Sequence, residues 1–268
     1  MTKTADTPKS HPEELRMRWD PVFDALRGSV RHVGTVLGGL GAFLVAGIVI
    51  ATSATVMFGE LAERVMQGNT QAFDNAVLTW MGAHRSPLMD AAMVEVTALG
   101  TGVVVLTVVG IAALFLSLTR HRYSAFLLLV ATGGGLLLNT VLKLFFDRPR
   151  PQVFEWGTHA VSSSFPSGHA MSATIVYSTV AYLASRLYRR NWPRWVTMFI
   201  ALFMIAMICA SRMYLGVHYP SDVLAGATIG LGWAAFCMAT LEAIQRVSQR
   251  SAPEIQKDEE PAPEPARS

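Results

Sequence analysis

What most constrains this chain is a series of long apolar runs that carry no ionisable residue in their middles. A hydrocarbon core about 30 Å thick is crossed by roughly 20 residues of helix. Runs at 33–58, 88–118, 123–146, 168–188, 195–210 and 223–243 approach or exceed that length. With 51% hydrophobic and only 15% charged residues in 268, the composition is that of a membrane protein rather than a soluble domain. The expected fold is an all-α bundle of six transmembrane helices. It divides into a polar cytoplasmic segment at 1–32, a membrane domain at 33–245 and a disordered tail at 246–268, where Pro253, Pro261, Pro263 and Pro265 stand among glutamates. The first twenty residues are polar and the first apolar run is long enough to span, so that run reads as an anchor and not as a cleaved signal.

Gly100 and Gly102 interrupt the second run. Before it, Phe73, Val77 and Met81 recur at helical spacing beside Trp80, which suggests a helix lying in the interface. Gly133, Gly134 and Gly135, and later Gly226, Gly230 and Gly232, suit close helix packing. Cys209 and Cys237 fall inside apolar runs and read as small hydrophobes, with neither a disulfide nor a metal implied.

A net charge of +3 gives no nucleic-acid face, because the basic residues lie in short clusters between the apolar runs. Those clusters instead set topology. Arg120, Arg122, Arg186, Arg189, Arg190, Arg194 and the basic residues of both tails fall on one side, sixteen in all. Arg64, Arg85, Arg148, Arg150 and Arg212, five in all, fall on the other. The richer side is cytoplasmic, which places both termini inside.

Three segments on the poorer side hold chemistry. The first runs from Lys143 through Arg150 to Pro151, where the third span breaks; taken alone, its lysine could merely snorkel to the interface. The second is Ser164-Phe165-Pro166-Ser167-Gly168-His169, a helix start whose free amides favour an anion, though by itself it could be an ordinary start with an incidental histidine. The third runs from Ser211-Arg212 to His218 and Asp222, with Pro220 in the first turn of the last helix. Asp222 could bond one imidazole nitrogen and leave the other with a free lone pair, or could simply cap the helix. All three lie on one expected face. Together they gather Lys143, Arg150 and Arg212 around helix N-termini, a setting for a phosphate dianion and its transition state.

These three segments resemble the type 2 phosphatidic acid phosphatase family, whose active site is similar to that of vanadium-dependent haloperoxidases. The detailed resemblance covers 143–222, the six-span layout extends it loosely to 33–245, and no motif position departs from the pattern. It implies an integral-membrane lipid phosphatase in which His218 attacks phosphorus and Asp222 orients it. His169 would protonate the leaving oxygen and later activate water. Lys143, Arg150, Ser167, Gly168 and Arg212 would hold the phosphoryl oxygens with neither metal nor cofactor. The implied substrates are lipids of the bilayer carrying a phosphate or diphosphate: undecaprenyl diphosphate, phosphatidylglycerophosphate or phosphatidic acid. The compact form points to a bacterial plasma membrane with the site outside.

Trp156 and His159 could shape a head-group site or merely anchor the interface. Arg148, Asp147 and Tyr219 carry no expected role beyond local structure. A transporter or channel is the alternative, tested by flux through vesicles without hydrolysis; against it, the charges cluster at one end of the spans and five of the six lack one at mid-depth. A vanadate-using oxidase is a third, weakened because the related haloperoxidases are soluble. The phosphatase reading predicts turnover that survives EDTA. It also predicts a bell-shaped pH profile, because one histidine must be neutral and the other charged; a rate flat between about pH 5 and pH 9 would contradict it.

Overall fold

The computed structural model describes residues 41, 42, 44–158 and 162–250, and everything below concerns these. The chain divides at Phe43 into two units; of the first, Gly41 and Ala42 are described and are helical. The second unit is built of helices, with no strand among the described residues. They are α1 (Leu44–Met66), α2 (Gln71–Ala83), α3 (Pro87–Ala98), α4 (Gly102–Leu118), α5 (Arg122–Phe145), α6 (Gly168–Leu187), α7 (Asn191–Tyr214) and α8 (Pro220–Arg250).

The boundaries follow local chemistry. Gly68, at φ 76°, turns the chain between α1 and α2. Ser86 accepts the Met89 amide and Pro87 opens α3, as their types favour at a helix start. The second apolar run breaks where its glycines fall, so that α3 and α4 meet at 46°. Pro220 opens α8, which continues to Arg250, beyond the boundary at 245 expected from the apolar pattern. The first helix likewise runs on to Met66 rather than stopping at Phe58, while residues 33–40 of the expected first span, the rest of the N-terminal segment and 251–268 lie outside the described residues.

Length and apolarity qualify four helices as spans, α1, α5, α7 and α8, and a fifth if α3 and α4 form one bent span. α6 falls short on this measure although it has 20 residues, and the reason is its position. It packs against α4, α5, α7 and α8, and Thr174, Thr179 and Ser185 are buried against protein. Lipid-facing apolarity is not demanded of a helix wrapped by others. α2 exposes Phe73 and Trp80 and buries Asp74 and Leu78, so the buried stripe sits one residue away from the apolar one.

Glycine sets the closeness of α6 and α8. A Cβ on Gly226 would overlap the Ser167 carbonyl, and one on Gly230 would crowd that of Met171 at 2.9 Å. Gly134 makes room for Trp233, Gly135 for Ile175 and Gly232 for Ala54, whereas Gly133 faces open space. Gly226→Ala should therefore lower the thermal midpoint in detergent, by an amount equivalent to ~1–3 kcal/mol of overpacking. Gly133→Ala should leave it unchanged or raise it by up to ~1 kcal/mol of helix propensity. Equal midpoints for the two variants would show that the α6–α8 approach is not set by Gly226.

Candidate active site

The three sequence segments meet in one place. A cavity of about 330 Å³ is lined by Lys143 from the end of α5, Gly168 and His169 from the start of α6, Arg212 from the end of α7, and His218 and Arg150 from the connecting segments. Gly100 and Gly102, at the α3–α4 break, line it too. The opposite ends of the same helices, at Leu116, Tyr123, Leu187 and Gln245, surround a different cleft, which shows that neighbours alternate in direction.

Backbone straps hold the site together. Ser164 donates its N–H to the Arg148 carbonyl at 3.0 Å, the Ser163 hydroxyl donates to the Phe146 carbonyl at 2.6 Å, and the Ser164 hydroxyl to that of Pro149 at 3.1 Å. Beneath them Phe58, Phe146 and Phe165 form an aromatic cluster with ring centroids 5.0–6.0 Å apart. The Ser167 N–H donates to the Asp222 carbonyl at 3.0 Å, tying the start of α6 to the first turn of α8. Gly216, at φ 74°, makes the turn out of α7 that delivers His218, a conformation glycine adopts without strain.

His218 is almost fully buried, and its tautomer is set from both sides. Its Nδ1 lies 2.7 Å from the Ser164 carbonyl, which can only accept, so Nδ1 carries the proton. Its Nε2 lies 3.4 Å from Nη1 of Arg150, which can only donate, so Nε2 keeps the lone pair. Asp222 stands within ion-pair distance, 3.6 Å from Nδ1, and the Ser164 carbonyl, which nothing in the motif spacing reveals, makes the shorter contact. Burial pushes the His218 pKa down to about 4, despite the raising influence of Asp222.

The cations are held on the cavity wall. Lys143 Nζ donates to the Ser162 hydroxyl and the Ser163 carbonyl, both at 2.9 Å. Arg150 donates to the carbonyls of Ser162 at 2.8 Å and Val217 at 2.7 Å, and Arg212 to the Thr97 hydroxyl at 2.8 Å. Three buried polar atoms here, Asn139 Oδ1, the Ser167 hydroxyl and Arg212 Nε, have no partner among the described residues, as suits groups that face a ligand. Ser167 is the N-cap of α6 and its hydroxyl makes no capping bond. The amides of that helix's first turn, from Gly168 on, are donors that the helix itself does not use. His169 lines the cavity and hydrogen-bonds to no described residue.

Every sequence-derived site residue lines this cavity except Ser167, which caps α6 beside it, and Asp222, which lies behind His218. Trp156 lies elsewhere, donating to the Pro151 carbonyl at 2.7 Å and lining a separate cleft with Phe154 and Thr158; His159 falls outside the described residues. Sequence reasoning missed Thr97, Ser162 and Asp74, and left Arg148 with a local role. Arg148 is buried, and it joins Asp222 at 2.6 Å to Asp74 at 2.9 Å. An acidic residue on the buried face of α2 was the one available signal.

The PAP2 superfamily pattern matches residues 124–246. Phosphatidylglycerophosphatase B of Bacillus subtilis (strain 168) is 33% identical over 180 residues, which is 67% of this chain and 88% of the relative. Lipid A 1-phosphatase of Rhizobium etli is 33% identical over 128 residues, covering 44% of this chain and half of the relative. A solved transmembrane PAP2-type phosphatidylglycerolphosphate phosphatase from Bacillus subtilis superposes with a TM-score of 0.66 at 29% identity, over 77% of this chain and 98% of that one. Motifs, cavity and relatives converge, and the chain belongs to the PAP2 superfamily.

Proposed function

We propose that this chain is a metal-independent lipid phosphatase that works through a phosphohistidine on His218. Phosphoric ester hydrolysis is the chemistry of its family. The observation that carries the finer reading is the His218 ring, with Nδ1–H held by a carbonyl and the Nε2 lone pair kept at a cavity that three cationic side chains line.

Nε2 attacks phosphorus and the bond to the leaving oxygen breaks, with that oxygen taking a proton from His169. Arg150, Arg212, Lys143, the Ser167 hydroxyl and the Gly168 amide hold the three equatorial oxygens as charge spreads onto them. As the N–P bond forms, the ring becomes cationic, and Asp222 at 3.6 Å stabilises it. Neutral His169 then takes a proton from water, whose oxygen attacks the phosphohistidine; phosphate leaves and His218 is restored.

With α6, wrapped by its neighbours, as the fourth of six crossings, the bundle has cytoplasmic termini and a cavity that opens on the exterior of a bacterial plasma membrane. Helix composition and the excess of basic residues on one side support this. A tail entering between helices brings the lipid phosphate to the cations. Phosphatidylglycerophosphate is the favoured substrate, on the strength of the Bacillus subtilis relative, with undecaprenyl diphosphate and phosphatidic acid as the others.

The purified protein in detergent should release phosphate from at least one of these three lipids, and His218→Ala should release none. His169→Ala should lose about 10²–10⁴-fold in kcat, the usual worth of a general acid. Neutral His218 is the attacking form and protonated His169 the acid, so the acid limb of the bell-shaped kcat/KM profile should lie near pH 4, where His218 takes up a proton, and loss of the His169 proton should set the alkaline limb. Vesicle flux without phosphate release would favour a transporter instead, and retained activity in His218→Ala would remove the nucleophile.

A further inference from the structure

Asp74 is fully buried on α2, outside the three motifs and outside the 124–246 stretch that matches the family. Both of its carboxylate oxygens are engaged. Oδ1 accepts the Ser221 N–H at 3.0 Å, and Oδ2 accepts the Ser221 hydroxyl at 2.6 Å and Arg148 Nη2 at 2.9 Å. Arg148 turns its other arm the opposite way, so that Nη1 donates to Asp222 Oδ1 at 2.6 Å and to the Ser221 hydroxyl at 2.8 Å. Its guanidinium lies 4.1 Å from the centre of the Tyr219 ring. The second oxygen of Asp222 accepts the Tyr219 N–H at 2.9 Å and stands 3.6 Å from His218 Nδ1.

One guanidinium thus lies between two carboxylates, and the set carries a net charge of −1. Asp74 does not line the catalytic cavity, so its influence on chemistry must pass through this bridge. In a buried setting the share of Arg148's charge felt by Asp222 depends on whether a second anion stands on the other arm. Asp222, on α8, is the anion facing His218. The other charged or titratable groups facing the ring are Arg150, from the segment after α5, Arg212, on α7, and His169, on α6.

We propose that Asp74 is a positioning residue for phosphoryl transfer: through Arg148 and Ser221 it holds the first turn of α8 and sets how much negative charge Asp222 presents to His218. This rests on the reading of His218 as nucleophile. It has two consequences of opposite sign. Removing the charge of Asp74 leaves Arg148 wholly to Asp222, weakens the pull on the imidazolium and shifts the acid limb of the pH–rate profile downward. Removing both Asp74 and Arg148 charges leaves Asp222 unopposed and shifts that limb upward.

The test uses full-length protein in detergent, with gel filtration as the check on folding and phosphatidylglycerophosphate and phosphatidic acid as probes. Asp74→Asn should lower kcat about tenfold, equivalent to ~1.4 kcal/mol of lost transition-state stabilisation, with KM within about twofold of wild type and the acid limb at lower pH. The charge-balanced Asp74→Asn/Arg148→Gln variant should move the acid limb above the wild-type position. An acid limb left in place by both variants would overturn the proposal, even where activity falls, because a purely structural role predicts fewer active molecules with an unchanged profile. Where Asp74→Asn does not fold, the double variant alone decides. Where neither folds, Ser221→Ala decides: it should lower kcat about threefold at constant KM, since it removes one hydroxyl from the bridge, and wild-type kcat there would also overturn the proposal. His218→Ala separates the two readings: activity without His218 removes the nucleophile whatever Asp74 does. An inactive His218→Ala beside unmoved acid limbs refutes only the role of Asp74.

Discussion

Charge is costly in a bilayer, and the charged side chains at the cavity answer to that constraint. A cation or carboxylate buried at a helix end persists only when its neighbours complete its hydrogen bonds. Here Lys143 and Arg150 are held by carbonyls and hydroxyls of 162–163 and 217, Arg212 by Thr97, and Asp222 by Arg148. The segments at 146–149 and 163–165, strapped to each other, form the floor on which this polar cluster rests. Without that strap the carbonyl of Ser164 would not meet His218, and the ring would have no fixed tautomer.

The bundle serves the same end. α6 starts at the cavity and is enclosed by α4, α5, α7 and α8, so its start is held still by packing. Glycines at 226 and 230 let α8 approach α6 closely enough for the Asp222 carbonyl to take the Ser167 amide. Membrane helices gain little from hydrophobicity against one another, so close packing at small residues and interhelical hydrogen bonds do this work. The α3–α4 break has a related use, since Gly100 and Gly102 bring a wall without side chains against the cavity and His169 packs beside Gly100.

The arrangement also divides labour between carboxylate and carbonyl. Burial keeps the His218 ring neutral at neutral pH, and the carbonyl on Nδ1–H fixes its proton without adding a full negative charge. Asp222, one step further off and shared with Arg148, acts through its charge. A carboxylate bonded directly to the ring would hold its proton more tightly and raise its pKa.

Much of this was legible in the residues. Apolar length alone implied a helical membrane bundle, because hydrocarbon thickness and helix rise leave little choice. Lys143, Arg150, Ser167, Gly168, His169, Arg212, His218 and Asp222 could be named because phosphate chemistry needs those types and because helix breaks placed them at span ends. The glycines at 100 and 102 marked the bend correctly. What pattern could not supply was every partner distant in the chain. Ser164 meets His218 across 54 residues, Thr97 meets Arg212 across 115, and Asp74 meets Ser221 across 147. The apolar periodicity of α2 marked an interfacial helix, but that its opposite stripe buries Asp74 against protein is visible only in the packed structure. The run at 168–188 marked α6, but that neighbouring helices enclose it and bury Thr174, Thr179 and Ser185 is visible only in the packed bundle. Sequence by itself determined which polar and charged groups stand at which helix ends; tertiary structure alone decided that they share one cavity, and which backbone carbonyl and which distant ion pair hold them there. The physical reason is that a hydrogen bond depends on where two atoms sit, and the chain's order carries no record of a contact made by packing.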